Sequence, residues 1–143
     1  MSMETSDPTL VVVEDDLVEV QAVRRGMRRL GLRWDVLAFS DGAQALRQLQ
    51  HAAAEGVADR YLVLLDLNLP RMNGTEFLSE VRRDHDLSRT EVFVLTTSDA
   101  PEDVGATTRL GVSGYFVKSA CGEDYVDALT ALVSAWNHRA DES

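Results

Sequence analysis

Residues 62–65, Leu-Val-Leu-Leu, form an apolar run with no polar alternation, and the run stops on a carboxylate, Asp66. A strand with one wet face alternates apolar and polar residues, so an unbroken run marks a strand buried on both faces. Such strands sit in the middle of parallel sheets. In open parallel sheets, ligands bind beyond the carboxyl ends of the strands. Asp66 is therefore expected at a functional rim, with Asn68, Pro70 and Gly74 turning the chain away from it. Taken alone, Asp66 is equally well read as a turn or helix-capping residue, and its neighbours in space must decide.

The rest of the chain repeats the theme. Short apolar or β-branched runs at 10–13, 34–39, 91–96 and 114–117 read as four more strands. Between them lie segments of helical period. Residues 16–30 carry Leu17, Val20, Val23, Met27 and Leu30 and stop at Gly31. Residues 43–54 follow the turn and N-cap signal Ser40-Asp41-Gly42, and place Ala45, Leu46, Leu49 and Ala53 on one face. Residues 74–83 carry Phe77, Leu78 and Val81, with Glu76 in the first turn. A helix from about 101 to 110 takes Ser98 or Asp99 as its cap and Pro101 near its first position; Gly105, Thr107 and Thr108 weaken it. The last helix, 123–138, buries Tyr125, Val126, Leu129, Leu132, Val133 and Trp136, and residues 139–143 are expected to fray. Five strand–helix units specify an α/β domain. Right-handed crossovers make it a doubly wound parallel sheet, a flavodoxin-like (βα)5 fold with strand order 2-1-3-4-5. With no linker or low-complexity tract, 1–143 reads as a single domain with a core from about 9 to 138 and short polar tails.

Composition removes several classes of function. A net charge of -10 argues against a nucleic-acid partner, because neutralising phosphates takes a basic patch. The cluster Arg24, Arg25, Arg28, Arg29 and Arg33 reads as a solvated helix surface. No apolar run approaches the roughly 20 residues of a membrane span, and the polar start of the chain is not a signal peptide. Cys121 stands alone, which rules out an intrachain disulfide and a cysteine-based metal site. A cytoplasmic location is expected. Of the 14 basic residues, 13 are arginines and one is a lysine, Lys118. A chain that otherwise writes arginine marks with its single lysine a place for a compact ammonium rather than a planar fork.

The strand ends form a constellation. The first strand ends in Glu14, Asp15 and Asp16, the third in Asp66, the fourth in Thr96 and Thr97, and the fifth in Lys118. In the order 2-1-3-4-5 these strands are neighbours, so the side chains converge on one rim. Crowded carboxylates repel one another, and a hard divalent cation relieves that repulsion. Mg²⁺ prefers carboxylate oxygen and keeps open positions for a phosphate oxygen. An aspartate beside Mg²⁺ is a competent phosphoryl acceptor. Lys118 would pair with the incoming phosphoryl oxygens and Thr96 would donate a hydrogen bond to them. His51, His85 and His138 lie away from this rim, so soft-metal chemistry is not expected.

At these residues the chain resembles a response-regulator receiver domain of bacterial two-component signalling, along almost its whole length. The resemblance rests on Glu14-Asp15, on Asp66 in Leu-Asp-Leu-Asn-Leu-Pro-Arg-Met-Asn-Gly, on Thr96 in Leu-Thr-Thr-Ser, and on Lys118 in Gly-Tyr-Phe-Val-Lys. It implies a stand-alone regulator with Asp66 as phosphoacceptor and Lys118 and Thr96 beside it. It implies Mg²⁺ held by Glu14, Asp15, Asp66 and the backbone carbonyl of Asn68. Thr96 and Tyr115 resemble the family's switch pair, and Asn68 and Ser98 fall where receivers tune the lifetime of the acyl phosphate. The implied partners are a histidine kinase and, for the output, a downstream protein or, in a homodimer, a second copy of the chain through the face of the fourth helix, fifth strand and fifth helix. The motif Leu-Thr-Thr-Ser-Asp is similar to regulators paired with phytochrome-type kinases. The implied chain is not an enzyme beyond its own phosphorylation and dephosphorylation.

One departure stands out. The family usually has proline after the strand-5 lysine, often with a cis bond, and here it is Ser119. A cis bond before a non-proline residue costs about 3 kcal/mol, so either the turn is rebuilt in trans or Ser119 carries strain. The rivals are poorer fits. An aspartate-nucleophile phosphatase typically has an acid two residues beyond the nucleophile, where Asn68 stands here. A flavin-type binder wants a glycine-rich phosphate loop that the sequence lacks. A degenerate docking module would not keep the acidic set and Lys118.

Overall fold

The computed structural model describes residues 7–142. Its five parallel strands are β1 (Thr9–Val13), β2 (Asp35–Phe39), β3 (Tyr61–Leu65), β4 (Glu91–Thr96) and β5 (Gly114–Val117), in the order β2-β1-β3-β4-β5. The five helices are α1 (Leu17–Arg29), α2 (Gly42–Ala54), α3 (Gly74–Arg83), α4 (Pro101–Arg109) and α5 (Val126–Glu142). The expected flavodoxin-like (βα)5 arrangement is the one observed.

The period of two along each strand divides the interior. Val11, Val13, Val63, Leu65, Val92 and Val94 face α2 and α3, packing on Ala45, Leu49, Phe77, Leu78 and Val81. Leu10, Val12, Leu62, Leu64, Phe93 and Leu95 face α1 and α5, packing on Val20, Val23, Met27, Leu129 and Leu132. Burial on both faces is what the apolar runs required. Between these layers β1, β3 and β4 are the central strands, and β2 and β5 are the edges.

Several local expectations are corrected. The helical period places Leu17 and Leu30 on the apolar face of α1, but they are 72% and 38% exposed; burial begins at Val20, because Asp16 caps the helix and its first residues face outward. Ser98 and Asp99 do not cap α4. The cap position is Ala100, and the Ser98 hydroxyl instead donates to the Asp103 carboxylate. The only buried residue of α4 is Thr107, whose hydroxyl donates back to Asp103 and Val104 carbonyls, so this helix is the least anchored. The last helix does not begin at Glu123. Asp124 and Tyr125 have left-handed backbone, φ 54° and 60°, and α5 proper starts at Val126. Nor does it fray at 139: the helix continues to Glu142, and Arg139 bonds the Asp59 carbonyl and lies over the Trp136 ring. The polar N-terminal tail lies outside the described residues, apart from Asp7 and Pro8.

The turn after β5 is built in trans. Residues Lys118–Ala120 form a short 3-10 turn, and among the described residues no peptide bond is cis. The Arg24–Arg33 cluster is only partly a solvated surface. Arg25 and Arg29 form ion pairs with Asp124, at 3.2 and 2.9 Å, and tie α1 to the segment that precedes α5.

Candidate phosphoacceptor and metal site

The sheet register brings the acids together. Val13 pairs with Leu65, so the residues that follow them, Glu14 and Asp66, leave adjacent strands at the same level. The Asp66 N–H donates to the Val13 carbonyl and the Glu14 N–H to the Phe39 carbonyl, extending the ladder one step past the strands. Two carboxylates are thereby held side by side at the carboxyl edge. Glu14, Asp15 and Asp66 each offer an oxygen within 4.8 Å of the others. Glu14 and Asp66 are buried and Asp15 is exposed. Asp16, the third acid of the run, is spent on the helix: its carboxylate accepts the Val18 N–H at 2.9 Å.

Lys118 completes the pocket. Its ammonium donates to Glu14 Oε1 at 2.8 Å and lies 3.6 Å from Asp66 Oδ2 and 3.9 Å from Glu19 Oε1, with the side chain only 10% exposed. Burial pushes the Glu14 carboxyl up to about 7; the Lys118 bond opposes that rise and the neighbouring Asp66 charge adds to it. Burial also acts to lower the Lys118 pKa, but the Glu14 bond and the charges of Asp66, Glu14 and Glu19 outweigh it, and the net direction is up. Glu14, Asp15 and Asp66 outnumber the single ammonium that faces them. The surplus negative charge and the all-oxygen donor set fit a hard divalent cation.

The loop after Asp66 is held from three directions. The Asn68 N–H donates to Asp66 Oδ1 at 3.2 Å, and the Asn68 amide reaches Thr97 Oγ1 at 3.3 Å. Arg71, with φ 62°, pairs with the buried Asp41 carboxylate at 2.7 Å. That guanidinium holds the Asp41 carboxyl below the usual range. Gly74 packs directly under the loop: a Cβ there would lie 2.5 Å from the Asp66 carbonyl oxygen. Asn73 and Glu76 then close a reciprocal capping box at the start of α3.

Of the residues singled out from sequence, Glu14, Asp15, Asp66 and Lys118 converge. Thr96 is fully buried at the end of β4, but its hydroxyl oxygen accepts from the Ser98 N–H at 3.4 Å and is not bonded to the acids. The Tyr115 hydroxyl donates to the Ser98 carbonyl at 2.9 Å, on the same loop. His51 and His85 pair with Glu55 and Asp86, away from the pocket. Two residues at the pocket were not anticipated in this role, Glu19 and Tyr125. Glu19 stands three residues after Asp16, a spacing that reads as a capping box, yet its carboxylate accepts the Tyr125 hydroxyl instead. No local signal pairs residues so far apart in the chain.

A doubly wound five-stranded domain with an acid-lined, lysine-bearing rim at the carboxyl edge has the architecture of a signalling receiver. The chain belongs to the response regulator receiver domain family, whose model matches residues 10–130. It is 33% identical over 138 residues to the response regulator Rcp1 of a Synechocystis strain, covering 95% of this chain and 94% of that one. Among solved structures it is similar to the phosphorylated cyanobacterial phytochrome response regulator RcpA, with TM-score 0.73, 29% identity and coverage of 88% and 89%. It is also similar to the Mn²⁺-bound form of Rcp1, with TM-score 0.73, 32% identity and coverage of 90% and 94%. Among the described residues no helix is long and apolar enough to cross a membrane.

Proposed function

We propose that residues 1–143 form one receiver domain acting as a single-domain response regulator, with Asp66 as its phosphoacceptor. The observation that carries this reading is the meeting of Asp66 Oδ2 with Lys118 Nζ at 3.6 Å inside a cluster of carboxylates. An Asp66 carboxylate oxygen attacks the phosphorus of a histidine kinase phosphohistidine. The phosphorus–nitrogen bond breaks, its electron pair stays on the imidazole, and an acyl phosphate forms. Hydrolysis reverses the state: water attacks phosphorus, the bond to Asp66 breaks, and inorganic phosphate leaves. Glu14, Asp15, Asp66 and the Asn68 carbonyl would hold Mg²⁺, which would supply neutralising charge for the phosphoryl oxygens.

Lys118 pairs with a phosphoryl oxygen. Thr96 releases its loop contact and donates its hydroxyl to another. Tyr115, freed from the Ser98 carbonyl, turns inward behind it. The added charge of about -1.5 to -2 thus reaches α4, the least anchored helix, and biases the α4–β5–α5 face. That face is the surface for a downstream protein or a second copy. The likeness to a phytochrome response regulator supports a phytochrome-type kinase as donor, and a cytoplasmic location is part of the same reading. The chain turns over no substrate beyond its own phosphoryl group.

Incubation with acetyl phosphate and Mg²⁺ tests the reading. Mass spectrometry is expected to find one added phosphoryl group on Asp66, absent in Asp66→Asn. An unchanged wild-type mass at saturating donor overturns it.

A further inference from the structure

We propose that Glu19, anchored by the Tyr125 hydroxyl, is a positioning residue that keeps the Lys118 ammonium against Asp66 when a divalent cation claims Glu14. Its purpose rests on the phosphoacceptor reading above; its geometry does not.

Three carboxylates face the ammonium, and they are not equivalent. Glu14, at 2.8 Å, and Asp66, at 3.6 Å, belong to the acid cluster; Glu19, at 3.9 Å, does not. A cation in the cluster therefore competes with Lys118 for its shortest contact. Glu19 is the one carboxylate partner that the cation leaves alone. The oxygen of Glu19 that faces Lys118, Oε1, is also the oxygen that accepts the Tyr125 hydroxyl. Anchor and anchored group meet at one atom.

The surroundings leave a released ammonium little room. Glu14, Glu19, Asp66, Lys118 and Tyr125 line one cavity of ≈ 10 Å³, room for about one water. With its side chain only 10% exposed, Lys118 regains little hydration there when it loses a carboxylate.

Tyr125 is placed by deliberate construction. It and Asp124 are consecutive non-glycine residues in the left-handed region, at φ 60° and 54°. Such backbone persists only where the surroundings enforce it, and it clusters at functional sites. The enforcement is visible: Arg25 and Arg29 grip the Asp124 carboxylate, and the Asp124 carbonyl rests on Gly26, where a Cβ would lie 2.1 Å away. This clamp on α1 aims the phenol at Glu19. Catalysis by charge placement is sensitive to small displacements of the charge, so a lysine held after its first partner is withdrawn is a lysine ready for the phosphoryl group.

Lys118 is the only lysine in the chain, so ¹⁵N-lysine labelling yields a single side-chain ammonium signal. In the wild type that signal is expected to shift with Mg²⁺ and persist at saturation. Glu19→Gln keeps the acceptor for Tyr125 but loses the charge; Tyr125→Phe keeps the ring but loses the anchor. Both variants are expected to show the signal without Mg²⁺, which reports an intact fold, and to lose it at saturating Mg²⁺. Cation affinity should change less than about twofold, since neither residue is a ligand, while phosphorylation by acetyl phosphate slows about three- to tenfold. In a Lys118→Ala background, Glu19→Gln should cause no further slowing. A signal that persists in both variants at saturating Mg²⁺, or an undiminished effect of Glu19→Gln without Lys118, overturns the proposal. Failure of the wild type to take up a phosphoryl group overturns the function proposed above instead, and the Mg²⁺ titration still decides this one.

Discussion

The Lys118 ammonium donates to Glu14 Oε1 across 2.8 Å, joining the ends of β5 and β1 although β3 and β4 lie between them. Three steps of roughly 4.8 Å separate those strands in a flat sheet. Sheet twist and a long side chain close the gap, and the lysine ends up over Asp66 at the middle. This contact ties the far edge of the sheet to its centre through one ammonium.

Burial of the Glu14 carboxylate makes the pocket sensitive to pH, against the pull of the Lys118 contact. The Glu14 carboxyl is raised by burial from its ordinary value of 4.5 to about 7. Between those values the folded protein binds more protons than the unfolded chain, so this contribution to stability is full below 4.5 and is lost as pH rises through about 7. A cation needs the carboxylate, so its apparent affinity should fall about tenfold per pH unit below that point. Melting curves without cation, compared with Glu14→Gln, should show the wild type losing relative stability across this window. Mg²⁺ titrations should show the opposite slope in affinity, and a flat difference would remove the assignment.

Lys118→Arg keeps the charge and should still fail. The cavity beside the ammonium is ≈ 10 Å³, far too small for the additional atoms of a guanidinium. Overpacking of this kind costs about 1–3 kcal/mol, to be read from urea denaturation. The displaced charge should slow phosphorylation by about tenfold or more. Wild-type stability in this variant would mean that the pocket is looser than its geometry indicates.

Gly74→Ala should damage the site from below. The added Cβ would lie 2.5 Å from the Asp66 carbonyl oxygen and 2.7 Å from Leu67 Cα, both backbone atoms. Backbone has to move, at a cost of about 1–3 kcal/mol. The Asn68 N–H contact to Asp66 should weaken with it. Denaturation midpoints together with the rate of Asp66 labelling test this; an unperturbed labelling rate would separate the loop from the site.

Arg82 offers a control far from the pocket. Its guanidinium donates to the carbonyls of Leu110 at 2.6 Å, Thr90 at 2.8 Å, Ser88 at 3.1 Å and Gly111 at 3.2 Å. One planar fork thus staples the loop before β4 to the end of α4, and burial pulls its pKa down. An ammonium cannot reproduce four divergent contacts. Arg82→Lys should cost about 2 kcal/mol while cation affinity stays as in the wild type. A shift in cation affinity would show that this staple is coupled to the acid pocket.

The strands were readable because their signal is local. An unbroken apolar run such as 62–65 has one structural meaning, burial on both faces, and the residue after it has one location, the carboxyl edge. Asp66, Glu14 and Lys118 could be placed from position alone. Leu17 could not: helical period tells which residues share a face, not where along the helix burial begins, and the first turn of α1 leaves Leu17 and Val18 exposed. The start of α5 was misread for a related reason. Glu123 and Asp124 have the acidic look of a first turn, while the left-handed backbone at Asp124 and Tyr125 is imposed from outside by Arg25 and Arg29. Ser119 posed a question of geometry, which a trans 3-10 turn answers.

Hydrophobic period and strand-end chemistry are properties of neighbours along the chain, and they carried the architecture, the rim and the acids on it. The choice of Glu14, not Asp66, as the shortest contact of Lys118, and the recruitment of Glu19 and Tyr125 behind it, depend on groups roughly a hundred residues apart. Those pairings exist only after the sheet has twisted and α1 and α5 have packed on one face of it. Side chains that meet through space leave no periodic trace, because the distance between them is set by every element in between.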